Sequence, residues 1–106
     1  MRITVAIVVL VVVLALGMTA TRQAGAADAG NGARLAQRWC ASCHLVAPNQ
    51  REPATEAPPF SDLAAHAGFD AGRLAFALLG PHPQMPDLML SRDEAADLAA
   101  YIAVQK

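Results

Sequence analysis

The sequence has little lysine, only two cysteines and no pattern typical of a β-sheet. Lys106 is the one lysine in a chain whose formal net charge is −1. No basic run is present that could bind nucleic acid or an anionic membrane surface through charge. No alternation of apolar and polar residues, internal repeat or low-complexity tract occurs, which excludes β-rich and repeat architectures. The chain is therefore expected to form an all-α domain.

The longest apolar run is at the N-terminus. Arg2 supplies one positive charge, residues 3–18 are almost entirely apolar, and Ala24-Gly25-Ala26 is an A-x-A cleavage pattern. This order predicts a cleaved export signal over residues 1–26, with cleavage after Ala26 or one residue later. An uncleaved anchor is the alternative, although an apolar helix of about 16 residues reaches only ~24 Å. Either outcome predicts a periplasmic protein, free or held at the outer face of the cytoplasmic membrane.

The two cysteines belong to a five-residue motif, C-A-S-C-H, at positions 40–44. Two thiols at this spacing followed by an imidazole are typical of covalent haem attachment. Each thiol would form a thioether to the haem, and His44 would bind its iron. Because Cys40 and Cys43 are both used, the motif predicts one haem c. Three alternatives stay open: a redox dithiol, a zinc site completed by His66 or His82, and a disulfide.

The part of the chain after the signal, residues 27–106, is the size of one small domain. Without Arg2 and Arg22 it has six basic and nine acidic residues, a formal charge of about −3. A domain this small is only marginally stable without a cross-link or a bound group. A covalent haem would supply the missing apolar burial, so we expect the chain without haem to be largely unfolded.

Four helices are predicted in this domain. They cover residues 27–39, residues 60–66, residues 70–79 and residues 91–105. The expected N-caps are, in order, Asn31, then Ser61 or Asp62, then Asp70, then Ser91 with Glu94 as a capping box. The residues expected to face the core are Leu35 and Trp39, then Leu74, Leu78 and Phe76 or Ala77, then Ala95, Leu98, Ala99, Tyr101 and Ile102. Residues 45–59 are expected to form an ordered loop beside the haem.

A second iron ligand is expected from the proline-rich segment 81–87, P-H-P-Q-M-P-D. The candidates are Met85, Met89, His66 and His82. Met85 is favoured because Pro83 and Pro86 hold its backbone, whereas Met89 is expected to be an ordinary packing residue. His82 is expected at the surface or near a haem propionate, and His66 at a helix end. A histidine–methionine pair raises the reduction potential relative to two histidines.

Taken together, these motifs resemble the class I c-type cytochromes over nearly all of residues 27–106. Gly32 resembles the glycine at which the first helix of that family meets the last. Residues 97–102, D-L-A-A-Y-I, resemble that last helix. Pro58 resembles the proline whose carbonyl accepts a hydrogen bond from the proximal histidine. Two departures are Ala36, where the family usually has an aromatic residue, and the absence of a lysine-rich front.

The resemblance implies the cytochrome c fold, with about four short helices around one haem bound by Cys40, Cys43, His44 and Met85. His44 and Met85 would be the iron ligands. We expect an exported, monomeric carrier of single electrons between protein redox partners, without enzymatic activity. The alternatives are a fixed electron-transfer subunit of a periplasmic dehydrogenase or oxidase, and a haem peroxidase or gas-binding haem protein. The last class would need an open sixth position on iron.

Overall fold

A computed structural model describes residues 1, 3, 5, 7, 25–50 and 57–106. In these ranges the chain forms helices α1 (Ala29–Trp39), α2 (Phe60–Ala65), α3 (Ala71–Leu78) and α4 (Arg92–Ala103). These helices bear out the prediction of an all-α fold. The one β-type contact among the described residues is an isolated bridge between His82 and Met85. Most of the predicted export signal, residues 1–26, lies outside the described residues. Within them, no helix has the length and apolarity needed to cross a membrane.

Helix α1 begins three residues earlier than its predicted cap requires. Asp28, not Asn31, is the N-cap, and its Oδ1 accepts the Asn31 N–H at 3.0 Å. The prediction of Asn31 as the N-cap was wrong. An N-cap side chain accepts a hydrogen bond from a backbone N–H of the first turn, and Asp28 does so from the N–H of Asn31 itself. The Asn31 side chain instead donates from Nδ2 to Asp97 Oδ2 at 2.8 Å. Asn31 thus ties α1 to α4.

The α1–α4 crossing is the most extensive contact between helices in the structure. At its centre Gly32 lies so close to α4 that a Cβ atom there would collide with the Asp97 carbonyl and would lie 2.8 Å from Tyr101 Cβ. A glycine permits such an approach because it has no side chain. The prediction of a helix-contact glycine, with the last helix crossing it, is confirmed.

The core lies beneath this crossing. Its buried members come from all parts of the domain: Ala36, Cys40, Val46, Phe60, Ala64, Leu98 and Ile102. Ala36 and Val46 have no exposed surface at all. At Ala36 only a methyl group enters this core, at a position where an aromatic side chain is the usual residue of the resembled family. A core of so few large side chains is consistent with a domain that depends on a bound group for its stability.

Helix α2 has no side-chain cap, so the predicted Ser61 and Asp62 caps were wrong. It starts directly after Pro59, and the Phe60 N–H donates to the Leu45 carbonyl at 2.9 Å. A loop carbonyl therefore takes the place of a capping side chain. The helix ends at Ala65, and Gly68 follows in the left-handed region with φ 80°.

Helices α3 and α4 have the predicted caps. Asp70 Oδ1 accepts the Arg73 N–H at 2.7 Å. Ser91 and Glu94 form both bonds of the capping box, which lowers the pKa of Glu94. Leu74 and Leu78 pack against the core as expected, but Phe76 is 80% exposed and only Ala77 remains of the alternatives for an inward position.

We expect Gly32→Ala to destabilise the folded protein by about 3 kcal/mol or more, because the new methyl group meets backbone that cannot rotate away. Urea unfolding followed by circular dichroism would measure the loss. Gly80→Ala is the matched control, since the nearest atom to its Cβ is the Ala77 carbonyl oxygen at 3.8 Å. Equal stability of the two variants would contradict the close crossing.

Candidate functional site

A cavity of about 430 Å³ opens where α1 ends and the proline-rich loop passes. It is lined by the 40–44 motif, by the loop that follows and by the segment 82–88: Trp39, Cys40, Ser42, Cys43, His44, Ala57, Pro58, His82, Pro83, Gln84, Met85, Pro86 and Leu88. The cavity therefore brings together all four predicted site residues, Cys40, Cys43, His44 and Met85. Its volume is within the range of small-molecule and cofactor sites.

The end of α1 presents the two thiols. Cys40 caps the helix with its N–H on the Ala36 carbonyl, and the chain then turns so that the His44 N–H bonds to the Cys40 carbonyl at 2.8 Å. This turn places Cys40, Cys43 and His44 on one wall of the cavity. Cys40 is only 8% exposed, and burial, with a smaller contribution from Cys43, raises its pKa to about 11.

A thiol with so high a pKa is protonated at neutral pH. Redox dithiols depend on a lowered thiolate pKa, so the environment of Cys40 disfavours that alternative. Within residues 25–50 and 57–106, no group of three or more histidine, cysteine, aspartate or glutamate side chains is arranged to hold a metal ion. The zinc alternative therefore has no ligand cluster in this part of the chain.

His44 is held by the carbonyl of Pro58. The distance from Nδ1 to the Pro58 oxygen is 2.7 Å, so Nδ1 carries the proton and donates it. Nε2, on the other side of the ring, keeps its lone pair for a metal. The Phe60 ring lies 5.5 Å from the imidazole, centroid to centroid. The expected role of the Pro58 carbonyl is confirmed, and it is the kind of contact that orients a metal-binding histidine.

Gln50 fastens the loop behind the motif. Its Oε1 accepts the Val46 N–H at 3.0 Å, and its Nε2 donates to the carbonyls of Ala41 and His44 at 3.1 and 3.0 Å. The side chain thereby closes the loop that carries His44. Sequence reasoning missed Gln50. A glutamine in a polar loop shows no pattern that tells a side chain bonded to the backbone from one exposed to solvent.

Tyr101 joins α4 to the same loop. Its hydroxyl donates to the Val46 carbonyl at 2.7 Å, and burial raises its pKa. Its ring meets the Phe60 ring edge-on at 6.3 Å. Together, Gln50 and Tyr101 bond both backbone groups of Val46, which has no exposed surface. The loop after His44 is thus fixed from two sides.

The distal candidates separate clearly in space. Met85 and His82 line the cavity, and Met85 N–H bonds to the His82 carbonyl at 3.3 Å. The His82 Nδ1 is 3.1 Å from the Gly80 carbonyl. Met89 is 89% exposed, so the expectation that it packs as an apolar residue was wrong. His66 follows α2 and lines a separate cavity with Phe69 and Leu74.

Trp39 is at the mouth of the cavity. It is 47% exposed, and the guanidinium carbon of Arg38 lies 4.8 Å from its ring centroid. Trp39 was expected to face the core. It lines the cavity and is absent from the buried cluster, so that expectation was wrong.

An all-α domain that presents a thiol pair, an oriented imidazole and a thioether to one cavity has the architecture of a haem-binding electron-transfer protein. The chain is similar to cytochrome c-552 of Bradyrhizobium diazoefficiens, with 56% identity over 77 residues that cover 73% of this chain and 74% of that protein. No family model and no solved structure matches the chain.

This degree of identity over most of both proteins shows the family: the chain belongs to the class I c-type cytochromes. It is a single-haem c-type cytochrome that acts in electron transfer, with protein redox partners. Its cofactor is one covalently bound haem c with its iron, and Cys40 and Cys43 have the spacing that this attachment needs. The predictions of family, fold and cofactor are confirmed.

Replacing the Gln50 amide should loosen the loop that follows His44. We expect Gln50→Leu to destabilise the haem-loaded protein by about 2–3 kcal/mol, because two carbonyls and one N–H lose their partner in a half-buried position. Urea unfolding followed at the haem absorption measures this.

The matched control is Gln105→Leu. The Gln105 side chain donates one hydrogen bond, from Nε2 to the Tyr101 carbonyl at 3.2 Å, and the loss of that bond is expected to change the free energy of unfolding by about 0.5 kcal/mol or less. A loss in Gln50→Leu as small as in this control would show that Gln50 does not hold the loop.

Proposed function

We propose that this protein is an exported carrier that moves single electrons between proteins, with its haem bound by Cys40 and Cys43 and its iron held by His44 and Met85. The observation that carries the proposal is the shared cavity, which brings these four residues together from segments about 40 positions apart in the chain. The residues fit the group: two thiols for the thioethers, an imidazole with a free Nε2, and a thioether sulfur. Bound there, haem supplies one-electron chemistry between ferrous and ferric iron.

Each ligand is held by its surroundings. The Pro58 carbonyl orients the His44 ring, and the Gln50 side chain bonds to the His44 carbonyl. Pro83 and Pro86 restrict the backbone on both sides of Met85. A weak thioether ligand benefits from such rigidity because little conformational entropy is lost when it binds. Fixed ligands also need little rearrangement when the charge on iron changes.

If His44 and Met85 both bind the iron, no position on the metal is left for a substrate, so we infer that the protein transfers electrons without catalysing a reaction. As an iron ligand, the soft sulfur of Met85 would stabilise the ferrous state and raise the reduction potential relative to a second histidine. This supports a carrier over a peroxidase or a gas-binding protein, both of which need a sixth position that opens.

The lining of the cavity favours a contact with partners that depends little on charge. None of the described residues that line it is Asp, Glu, Lys or Arg, while residues 27–106 carry about −3 in total. We propose that the protein works as a monomer and meets its partners at the mouth of this cavity, where Arg38 lies against Trp39. Rates of transfer should then depend weakly on salt, in contrast with partners steered by a lysine-rich front.

We propose export through cleavage after Ala26 or Ala27, which places the domain in the periplasm. The apolar N-terminal run, Arg2 and the A-x-A pattern support this proposal.

Covalent attachment and processing can be tested together. We expect acid-acetone extraction to leave the haem colour on the polypeptide, because thioether bonds survive acid that releases iron ligands. Mass spectrometry of the native protein should give the mass of residues 27–106 or 28–106 plus one haem. Free haem in the extract would contradict the attachment, and an intact N-terminus would contradict the processing.

The sixth ligand can be tested with two methionine variants. Met85→Ala should abolish the weak long-wavelength band of sulfur-ligated ferric haem and lower the potential by on the order of 100 mV, because the ligand that favours ferrous iron is lost. Met89→Ala is the control: its side chain is 89% exposed, so the band and the potential should stay. Retention of the band in Met85→Ala would assign the position to another residue, with His82 the first to examine.

A further inference from the structure

The loop that carries Met85 contains an unusual backbone conformation. Gln84 has φ 72° and Met89 has φ 49°, and among the described residues these are the non-glycine positions with positive φ. Residues with side chains rarely adopt this region, because Cβ approaches the neighbouring carbonyl oxygen. Strained conformations of this kind persist where the surrounding structure holds them, and they cluster at functional sites.

The turn around Gln84 can be assigned from its parts. His82, Pro83, Gln84 and Met85 form four consecutive residues closed by the hydrogen bond from Met85 N–H to the His82 carbonyl at 3.3 Å. Pro83 has a negative φ because of its ring, and Gln84 has φ 72°. A negative value followed by a positive one defines a type II turn, whose third position normally belongs to glycine.

The closed turn fixes where Met85 lies. Types I and II differ by a flip of the peptide between their two central residues and hold the ends of the turn in nearly the same places, so Met85 moves when Gln84 leaves positive φ by opening the turn and breaking the bond from Met85 N–H to the His82 carbonyl. Met85 cannot compensate freely, because Pro86 confines the residue before it to extended conformations. The position of Met85 therefore depends on a residue at 84 that keeps the turn closed at positive φ.

We propose that Gln84 is a positioning residue for the distal ligand: its left-handed backbone, in the type II turn 82–85, directs the Met85 thioether into the cavity. This inference rests on the proposed function, since it takes Met85 as the iron ligand. Gln84 acts through its backbone, and its exposed side chain is dispensable. The neighbouring bond of His82 Nδ1 with the Gly80 carbonyl, at 3.1 Å, steadies the start of the turn.

The test is a graded series at position 84, measured as the affinity of the ferric protein for imidazole, which competes with Met85 for iron. Asparagine tolerates left-handed backbone, glycine adopts it freely, alanine resists it and valine resists it most. We expect Gln84→Asn and Gln84→Gly to bind imidazole within about threefold of the unmodified protein, and Gln84→Val about tenfold more tightly. Gln84→Ala should lie between them, and it keeps the series interpretable should the valine variant fold poorly.

The matched control is Met89→Val. Met89 has the same kind of backbone conformation in the same loop, but it does not line the cavity. We expect its imidazole affinity to stay within about threefold of the unmodified protein. The long-wavelength ferric band should weaken in parallel with imidazole affinity across the position 84 series and stay constant in the control.

Three results would overturn the proposal. Equal tightening in Gln84→Gly and Gln84→Val would transfer the role to the side chain. An equal effect in Met89→Val would indicate general loosening of the loop. No change in any variant would show that Met85 is positioned without Gln84. The unmodified protein separates this inference from the proposed function. If it lacks the ferric band, Met85 is not the iron ligand and the proposed function fails at that point. If it shows the band and the position 84 variants all bind imidazole alike, only the role of Gln84 is removed.

Discussion

The contact between the Gly32 backbone and the Asp97 carbonyl is the constraint on which the rest of the domain depends. It brings α1 and α4 closer than any side chain at this position would permit, and the Asp97 carboxylate secures the approach by accepting the Asp28 N–H at 2.6 Å. The crossing fixes the position of the C-terminal end of α1, and with it the positions of Cys40 and of the turn that leads to His44. From the other helix, Tyr101 reaches the loop behind His44, so the same crossing positions both the motif and its support.

The two walls of the cavity are held by different means. The proximal wall is secured by hydrogen bonds from elsewhere in the chain, through the Pro58 carbonyl and the Gln50 amide. The distal wall has few such bonds and depends on prolines and a strained turn around Met85. Hydrogen bonds suit an imidazole, which has a second nitrogen to bind. A thioether has no second polar atom that could be hydrogen-bonded in this way, so the direction of the Met85 side chain has to be set by the backbone that carries it.

What could be read from the sequence had local or strongly patterned signals. Asp70, Ser91 and Glu94 cap helices within four residues of their own positions, and the 40–44 motif is contiguous. Gly32 and Pro58 were found through a family resemblance. Distant groups decided two of the outcomes, the Leu45 carbonyl at the start of α2 and Asp97 as the partner of the Asn31 side chain. The Asp28 cap and the three bonds of Gln50 are local, but neither residue stood out from its polar neighbours in the sequence. The exposure of Phe76 and Met89 had no local signal either, since an apolar residue is expected to be buried until the packing is known.

The burial of Cys40 has a consequence for the order of assembly. Sulfur adds to a vinyl group as a thiolate, or at least as an accessible thiol, and in the folded chain this thiol is 8% exposed with a pKa of about 11. Both properties come from the core that Ala36, Leu98 and Ile102 complete around it. If the fold described here closed first, the Cys40 sulfur would be out of reach of a vinyl group. The burial of Cys40 therefore favours attachment to a polypeptide that is still open, before α1 and α4 meet.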